Sequence, residues 1–303
     1  MVDLMNNIEV LKLDARESSS ANLSSENNKC VFTVDVEDWF HILALPKMPD
    51  VTEWSALPSH VSRNFNTMLE IFSDKQVHVT CFFLGWVAER FPELVRAAVE
   101  HGHEIASHGY SHTLVYQMTP QEFLTDISKS KQIIEDIAGI PVLGYRAPGF
   151  SVTKDTPWFF DQLALAGYRY DSSIFPGPRQ HGGLITWNRH PSSVETSQGH
   201  IEEFPITVST VLGRPMCFFG GGYLRLAPYA LIKRMSKRVL GEGRPVIFYV
   251  HPREIDVGHP RMDMSPVRRF KSYVNLETTR GKIEKILEDF SFTTFNALMP
   301  QGA

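Results

Sequence analysis

From Cys30 onward, short apolar runs alternate with longer stretches whose apolar residues recur at helical spacing. The segment CVFTVDVEDWF opens as an apolar, β-branched strand from Cys30 to Val34 and then meets acidic residues at once. TMLEIFSDKQ is predicted as a short amphipathic helix and VHVTCFFLG as the strand after it. PELVRAAVEHG has proline at a helix start and glycine at its end, and HEIASHG reads as a short strand and loop. TPQEFLTDISKSKQIIEDIAG begins with a capping threonine and keeps helical periodicity through Ile133, Ile134 and Ile137. VLGYRAPGF is strand-like until Pro148-Gly149, TPWFFDQLALAG is a helix, YRYDSS a strand end and IEEFPIT a further short strand. YALIKRMSKRVLGEG is a helix ended by glycines, RPVIFYVHPRE the clearest buried strand, and YVNLETTRGKIEKILEDF the closing helix.

Repeated strand-helix units predict an α/β fold, either a barrel or an open parallel sheet. Polar residues collect just after the strands, where parallel α/β folds place their sites. Residues 176–222, rich in Gly, Pro, Ser and His, are expected to be long loops on that core. Residues 1–28 are polar and acidic and are expected to form a loose tail before a single domain, 29–303.

Composition narrows the function. The chain has 303 residues, 43% of them apolar, enough for one large core. A formal charge of -4 gives no bulk attraction for a polyanion, and no basic aromatic patch supports nucleic-acid binding. Cys30, Cys81 and Cys217 are widely separated and form no CxxC, which suggests a reducing compartment. The N-terminus has no apolar core of a secretory signal, and no apolar run is long enough to span a membrane. The cytoplasm is the expected location.

Candidate chemistry lies at the strand ends. Asp35 and Glu37 face the same side of an extended segment, and Asp38 points away unless the chain turns there. His108 and His112, in HEIASHGYSH, stand four apart, close enough on one helical turn or in a tight loop to share an ion. With one carboxylate they make a two-histidine, one-carboxylate set with positions left open for water and substrate. The plainer reading is a pair of loop histidines. His101 and His103 are given no ligand role. Arg146 follows a strand and precedes a proline, Asp171 ends YRYD, and His251 follows the apolar strand VIFYV. Trp39, Trp54, Tyr110, Phe150 and Trp187 could stack on sugar rings or equally belong to the core.

In their order, FTVDVEDWF, FFLGWVAERFPELVR, GHEIASHGYSH, GYRAPGFSVT, YRYDSSIFP and FYVHPREID resemble the polysaccharide deacetylases of carbohydrate esterase family 4. They look most like the exosortase-associated members encoded with exopolysaccharide biosynthesis. The resemblance spans about residues 30 to 290. It implies a distorted (β/α) barrel with fewer than eight strands, and hydrolysis of an N-acetyl group on a carbohydrate. It makes Asp35 the general base, His108 and His112 metal ligands, and Arg146 the residue orienting the base. Asp171 becomes the aspartate near the catalytic histidine, and His251 that histidine, the general acid. Many members have two adjacent aspartates in the first motif, where this chain has Asp35-Val36-Glu37-Asp38. Same-face geometry favours Glu37 as the carboxylate ligand, with Asp38 as its rival. The implied ion is divalent, most simply Zn²⁺, with an oxyanion donor in the APGF loop. Two other readings stay open: a metal-free amidohydrolase acting on a different carbon-nitrogen bond, and a non-catalytic carbohydrate-binding protein.

Overall fold

The computed structural model describes residues 29–43, 49–179, 181–185 and 187–300; the expected tail, 1–28, lies outside the described residues. The strands are β1 (Cys30–Val36), β2 (Thr80–Phe83), β3 (Glu104–Ser107), β4 (Gly144–Tyr145), β5 (Tyr170–Asp171), β6 (Ser192–Thr196), β7 (Gly199–Glu203), β8 (Ser209–Val211), β9 (Arg214–Met216), β10 (Val246–Val250) and β11 (Phe292–Thr293). The helices are α1 (Val61–Asp74), α2 (Gly85–Arg90), α3 (Pro92–Glu100), α4 (Pro120–Ala138), α5 (Phe159–Leu165), α6 (Gly221–Leu226), α7 (Tyr229–Gly241), α8 (Pro266–Tyr273), α9 (Leu276–Asp289) and α10 (Phe295–Leu298).

The main sheet runs β10-β1-β2-β3-β4-β5-β7-β6. Every pairing from β10 to β7 is parallel, and β6 closes the edge as an antiparallel hairpin with β7. β10 takes one side of β1, while β11 and then β2 share the other. The sheet is curled and not closed on itself, a distorted barrel as the resemblance implied, although its path holds eight strands where fewer were expected, because the β6–β7 hairpin extends its edge. β1, β2, β3 and β10 are buried along their whole length, as a parallel sheet under helices requires. That explains why β1, β2 and β10 read as largely apolar runs and not as alternating ones.

The helices follow their sequence signals with local corrections. α1 starts earlier than TMLEIFSDKQ and buries Val61, Phe65, Met68, Leu69 and Phe72 against the sheet. α4 begins at a reciprocal cap: Glu122 N–H donates to Thr119 Oγ1 at 3.3 Å, and Thr119 N–H donates to Glu122 Oε2 at 2.7 Å. It ends at Gly139, whose φ of 69° closes the last turn. The face of α4 that packs is Phe123, Ile127, Ser130 and Ile134, with Ile133 and Ile137 on its flanks. Residues 176–222 are not only loops. They hold the β6–β7 and β8–β9 hairpins and the start of α6, because short strands that pair locally need little apolar sequence of their own.

Two buried features lock the layers. Gly144 gives β4 room against β5, since a Cβ there would lie 1.9 Å from the Tyr170 ring. The Tyr170 hydroxyl then donates to Glu104 Oε1 at 2.8 Å, and Glu104 also accepts from Thr80 Oγ1 and from the Phe295 and Asn296 amides. This carboxylate therefore joins β2, β3, β5 and α10 at the end of the sheet away from the candidate site. Thr119→Ala removes one half of the α4 cap and is expected to lower stability by about 1 kcal/mol in denaturant unfolding. Metal content should not change.

Candidate metal centre and its surroundings

The parallel strands deliver their side chains to one edge. Asp35 is on the last turn of pleat in β1, and Glu37 follows the strand on the same side. His108 follows β3, Arg146 follows β4, Asp171 ends β5 and His251 follows β10. The ligand atoms of Glu37, His108 and His112 lie within 4.8 Å of one another, and all three residues are buried. Asp38 is engaged elsewhere: it caps the turn Trp39–His41 and accepts from Trp39 N, Ser59 Oγ and His60 N. Of the two carboxylates weighed as ligands, Glu37 is the one beside the histidines.

The loop carrying the histidines is held open by other groups. His112 has a φ of 54°, unusual for a residue with a side chain, and Gly109 also sits at positive φ. Asp126 on α4 accepts from Tyr110 N at 2.8 Å and Ser111 N at 3.1 Å, and Ser130 Oγ donates to Gly109 O. A tight loop, not a helical turn, therefore brings the two imidazoles together, with ring centroids 5.3 Å apart. Asp126 went unrecognised in the sequence. Its position one helix downstream of HxxxH gives no local spacing signal.

The donor set fits a divalent ion. His108 Nδ1 donates to Arg146 O at 2.8 Å, which leaves Nε2 as a free lone pair. Burial lowers the His108 pKa to about 4, so the ring is neutral as a ligand should be. His112 Nε2 is 2.6 Å from Glu37 Oε2, yet that oxygen has no hydrogen bond of acceptable direction, and His112 Nδ1 has no partner either. Buried polar atoms left in this state are costly unless a shared ligand satisfies them. Burial alone would raise the Glu37 pKa, but His112 and His251 outweigh it and hold the carboxyl below its ordinary range.

Around this set sit the other predicted residues. Arg146 Nη1 donates to Asp35 Oδ1 at 2.7 Å and to Thr33 Oγ1 at 2.6 Å. Asp35 Oδ2 is 3.9 Å from His251 Nε2, and that nitrogen is 3.2 Å from Glu37 Oε1. Asp171 does not fill the place that the resemblance implied. Its oxygens accept from Ser173 Oγ at 2.6 Å and Ser173 N at 3.0 Å, and Ser173 Oγ in turn accepts from Ala147 N. Asp171 thus braces the loop behind Arg146. Burial raises its pKa to about 6, against hydrogen bonds with Glu203 and Ser173 that pull it down.

The carboxylate bonded to His251 is Glu254, with Oε1 2.7 Å from Nδ1. Glu254 is fully buried and its Oε2 lies 2.8 Å from Arg225 Nη1. Burial depresses the His251 ring, but Glu37 and Glu254 outweigh it and raise the pKa. The motif HPRE contained this signal: Pro252 starts a tight turn, and a turn brings positions three apart onto one side. Among the aromatic candidates, Trp39, Trp54 and Phe150 are buried core residues. Tyr110 and Trp187 are partly buried, and Trp187 stacks on Phe160. His41 was not singled out; its ring lies 5.7 Å from His112 and its Nδ1 accepts from Asp38 N. In the APGF loop, Ala147 N and Phe150 N already have acceptors, so neither is a free oxyanion donor.

With this geometry in place, the relatives become informative. Residues 54–170 match the family described as polysaccharide deacetylase, and residues 172–300 match a domain of unknown function (DUF3473). The chain is 32% identical over 107 residues to a peptidoglycan deacetylase of Helicobacter pylori, covering 35% of this chain and 36% of that one. The chain covers 36% of the length of this relative and between 16% and 52% of the length of similar curated ones. A structure described as a polysaccharide deacetylase from Mycobacterium smegmatis shares the fold, with a TM-score of 0.59 and 20% identity over 89% of this chain and 88% of that one. So does a Bacillus anthracis protein described as a CE4 family pseudoenzyme, at a TM-score of 0.50 and 13% identity over 90% and 66%. Residues 54–170 are thus similar in sequence to polysaccharide and peptidoglycan deacetylases, and the chain carries a Glu/His/His candidate site for a divalent metal. No helix among the described residues is long and apolar enough to cross a membrane.

Two outcomes test the site. His108→Ala and His112→Ala should each abolish retention of a stoichiometric divalent ion, measured by elemental analysis after dialysis. Glu254→Gln should keep the ion but lower turnover about 10- to 100-fold, the usual effect of losing a group that orients a site residue. Equal loss of ion and turnover would show that Glu254 only supports the metal ligands.

Proposed function

We propose that the chain hydrolyses the N-acetyl group of an amino sugar within an oligosaccharide or polysaccharide, releasing acetate and a free amine. The observation carrying this reading is that a buried two-histidine, one-carboxylate set adjoins both an arginine-held carboxylate and a carboxylate-held histidine. A divalent ion held by Glu37, His108 and His112, most simply Zn²⁺, would supply Lewis acidity and an activated water. Asp35 has one oxygen fixed by Arg146 and the other turned toward His251, so Oδ2 is the atom that takes the proton from the attacking water. His251 protonates the departing amine through Nε2, because Nδ1 is occupied by Glu254. Arg146 and Asp171 are positioning residues, the first for Asp35 and the second for the loop that carries Arg146.

Residues 29–303 act in this proposal as one catalytic domain, working in the cytoplasm on an exopolysaccharide precursor. The exopolysaccharide assignment rests on the ordered motifs of the sequence. The fold is shared with a pseudoenzyme, so the fold alone carries no activity; the retained Asp35 and His251 support catalysis over simple carbohydrate binding. Asp35→Asn should reduce acetate release from N-acetylated oligosaccharides roughly 10²- to 10⁴-fold while metal content stays at the wild-type level. Near wild-type turnover in D35N, or no acetate from the wild-type protein on a broad panel of N-acetylated sugars, would overturn the proposal. A metal-free amidohydrolase would instead keep its activity after chelation and dialysis.

A further inference from the structure

Next to His251 the chain concentrates positive charge that its own residues do not neutralise. Arg253, in the turn after β10, is 9% exposed, yet its Nε and Nη1 have no hydrogen-bond partner. Arg268 uses one Nη2 hydrogen for Leu43 O at 2.6 Å, in the loop after β1, while its buried Nε is unpartnered. Arg179 lies over the Phe150 ring at 4.4 Å, beside the loop after β4, and reaches Tyr249 Oη at 3.4 Å. These contacts place the guanidinium groups around loops that follow β1, β4 and β10, the edge of the sheet that holds the metal centre.

Among the described residues none of these arginines has a carboxylate within ion-pair distance. The nearby acids are engaged: Glu254 by His251 and Arg225, and Glu37 by the histidines. Arg225 differs in having a carboxylate partner: its Nη1 lies 2.8 Å from Glu254 Oε2, and its Nη2 donates to Lys271 O. Burial, followed by repulsion from Arg253, Arg179 and Arg225, lowers the Arg268 pKa. The remaining donors are of one sign, partly desolvated and turned toward no protein acceptor. Buried charge of this kind calls for a counter-ion, and planar guanidinium groups match the oxygens of a carboxylate or phosphate.

We propose that Arg253, Arg268 and Arg179 form a subsite for an anionic group, a carboxylate or a phosphate, carried by the substrate next to the acetamido group. The inference rests on the deacetylase reading for its position relative to the reacting bond, but the anion site itself does not. It predicts an enzyme that prefers an acidic glycan or a phosphorylated carrier-linked sugar over a neutral oligosaccharide.

The experiment separates the two ideas. Full-length protein stripped of metal is titrated with glucuronate and with inorganic phosphate, in the wild type and in Arg253→Gln, Arg268→Gln and exposed Arg214→Gln. Binding that weakens about tenfold or more in R253Q and R268Q but not in R214Q supports the subsite. Whichever probe binds more tightly identifies the carboxylate or the phosphate as its source. If R253Q does not fold by its melting curve, the half-buried R268Q and R179Q make the same comparison. With metal restored, the wild type should favour an N-acetylated oligosaccharide bearing the better anion over its neutral counterpart, mainly through KM, and R268Q should lose that preference. Absence of binding by both probes, or equal binding in all variants, overturns the proposal. Arginine-dependent binding without acetate release from any substrate would leave the subsite standing and remove the deacetylase reading.

Discussion

The Arg146–Asp35 pair is the constraint on which the site edge depends. Arg146 is fully buried, and a guanidinium in that position must have every donor answered. Its Nη1 reaches Asp35 and Thr33 on β1, its Nε and Nη2 reach Ser172 after β5, and its face lies 4.1 Å from the Phe82 ring on β2. One side chain thus ties three strands that are not all neighbours in the sheet. Removing either partner of such a pair leaves an uncompensated charge in the core, worth about 3–5 kcal/mol. The same residue's carbonyl accepts from His108 Nδ1, so the orientations of His108 and Asp35 are set together.

That coupling explains why the site is built at strand ends and not within one helix. The parallel sheet is buried along its strands and accepts polar side chains only where partners answer them, which for the candidate site is at and just past the strand ends. Each polar side chain there is then held by a group from a different connection: Asp126 from α4 for the histidine loop, Ser173 for the Arg146 loop, and Arg225 from α6 for Glu254. The metal ligands are therefore fixed by the packing of the layers, and the positive φ of His112 is sustained by the bonds that surround it.

The order of elements and most of the site were legible because both arise from local signals. Apolar runs mark buried strands, and the first polar residues after them mark the site edge, which located Asp35, Glu37, His108, Arg146 and His251. The choice between Glu37 and Asp38 was only partly legible. Strand alternation favours Glu37, but the turn at Trp39–His41, which takes Asp38 as its cap, is a tertiary event involving Ser59 and His60. Glu254 was hidden by a sequence habit of pairing histidine with an aspartate from another motif, when the partner was three residues on. Arg225 and Asp126 carry no local mark at all, since their roles come from helices packed against the site. The hairpins within 176–222 were hidden by their Gly- and Pro-rich composition, which reads as loop whether or not short strands pair inside it.

The buried carboxylates show how one functional group is given different work by its neighbours. Asp35 gives one oxygen to a guanidinium and turns the other toward His251. Glu37 faces two histidines, and its Oε2 is left without a directed hydrogen bond, which suits a metal ligand. Asp38 accepts several backbone and hydroxyl donors and is spent on structure. Glu254 sits between an arginine and a histidine and can hold the ring in one orientation only while Arg225 balances its charge. Asp171 lies next to a second carboxyl, Glu203, and burial pushes the pKa of both upward. Sequence spacing can bring carboxylates to one edge of a sheet, but the donors that meet each of them decide whether it caps a turn, braces a loop or is left facing the histidines.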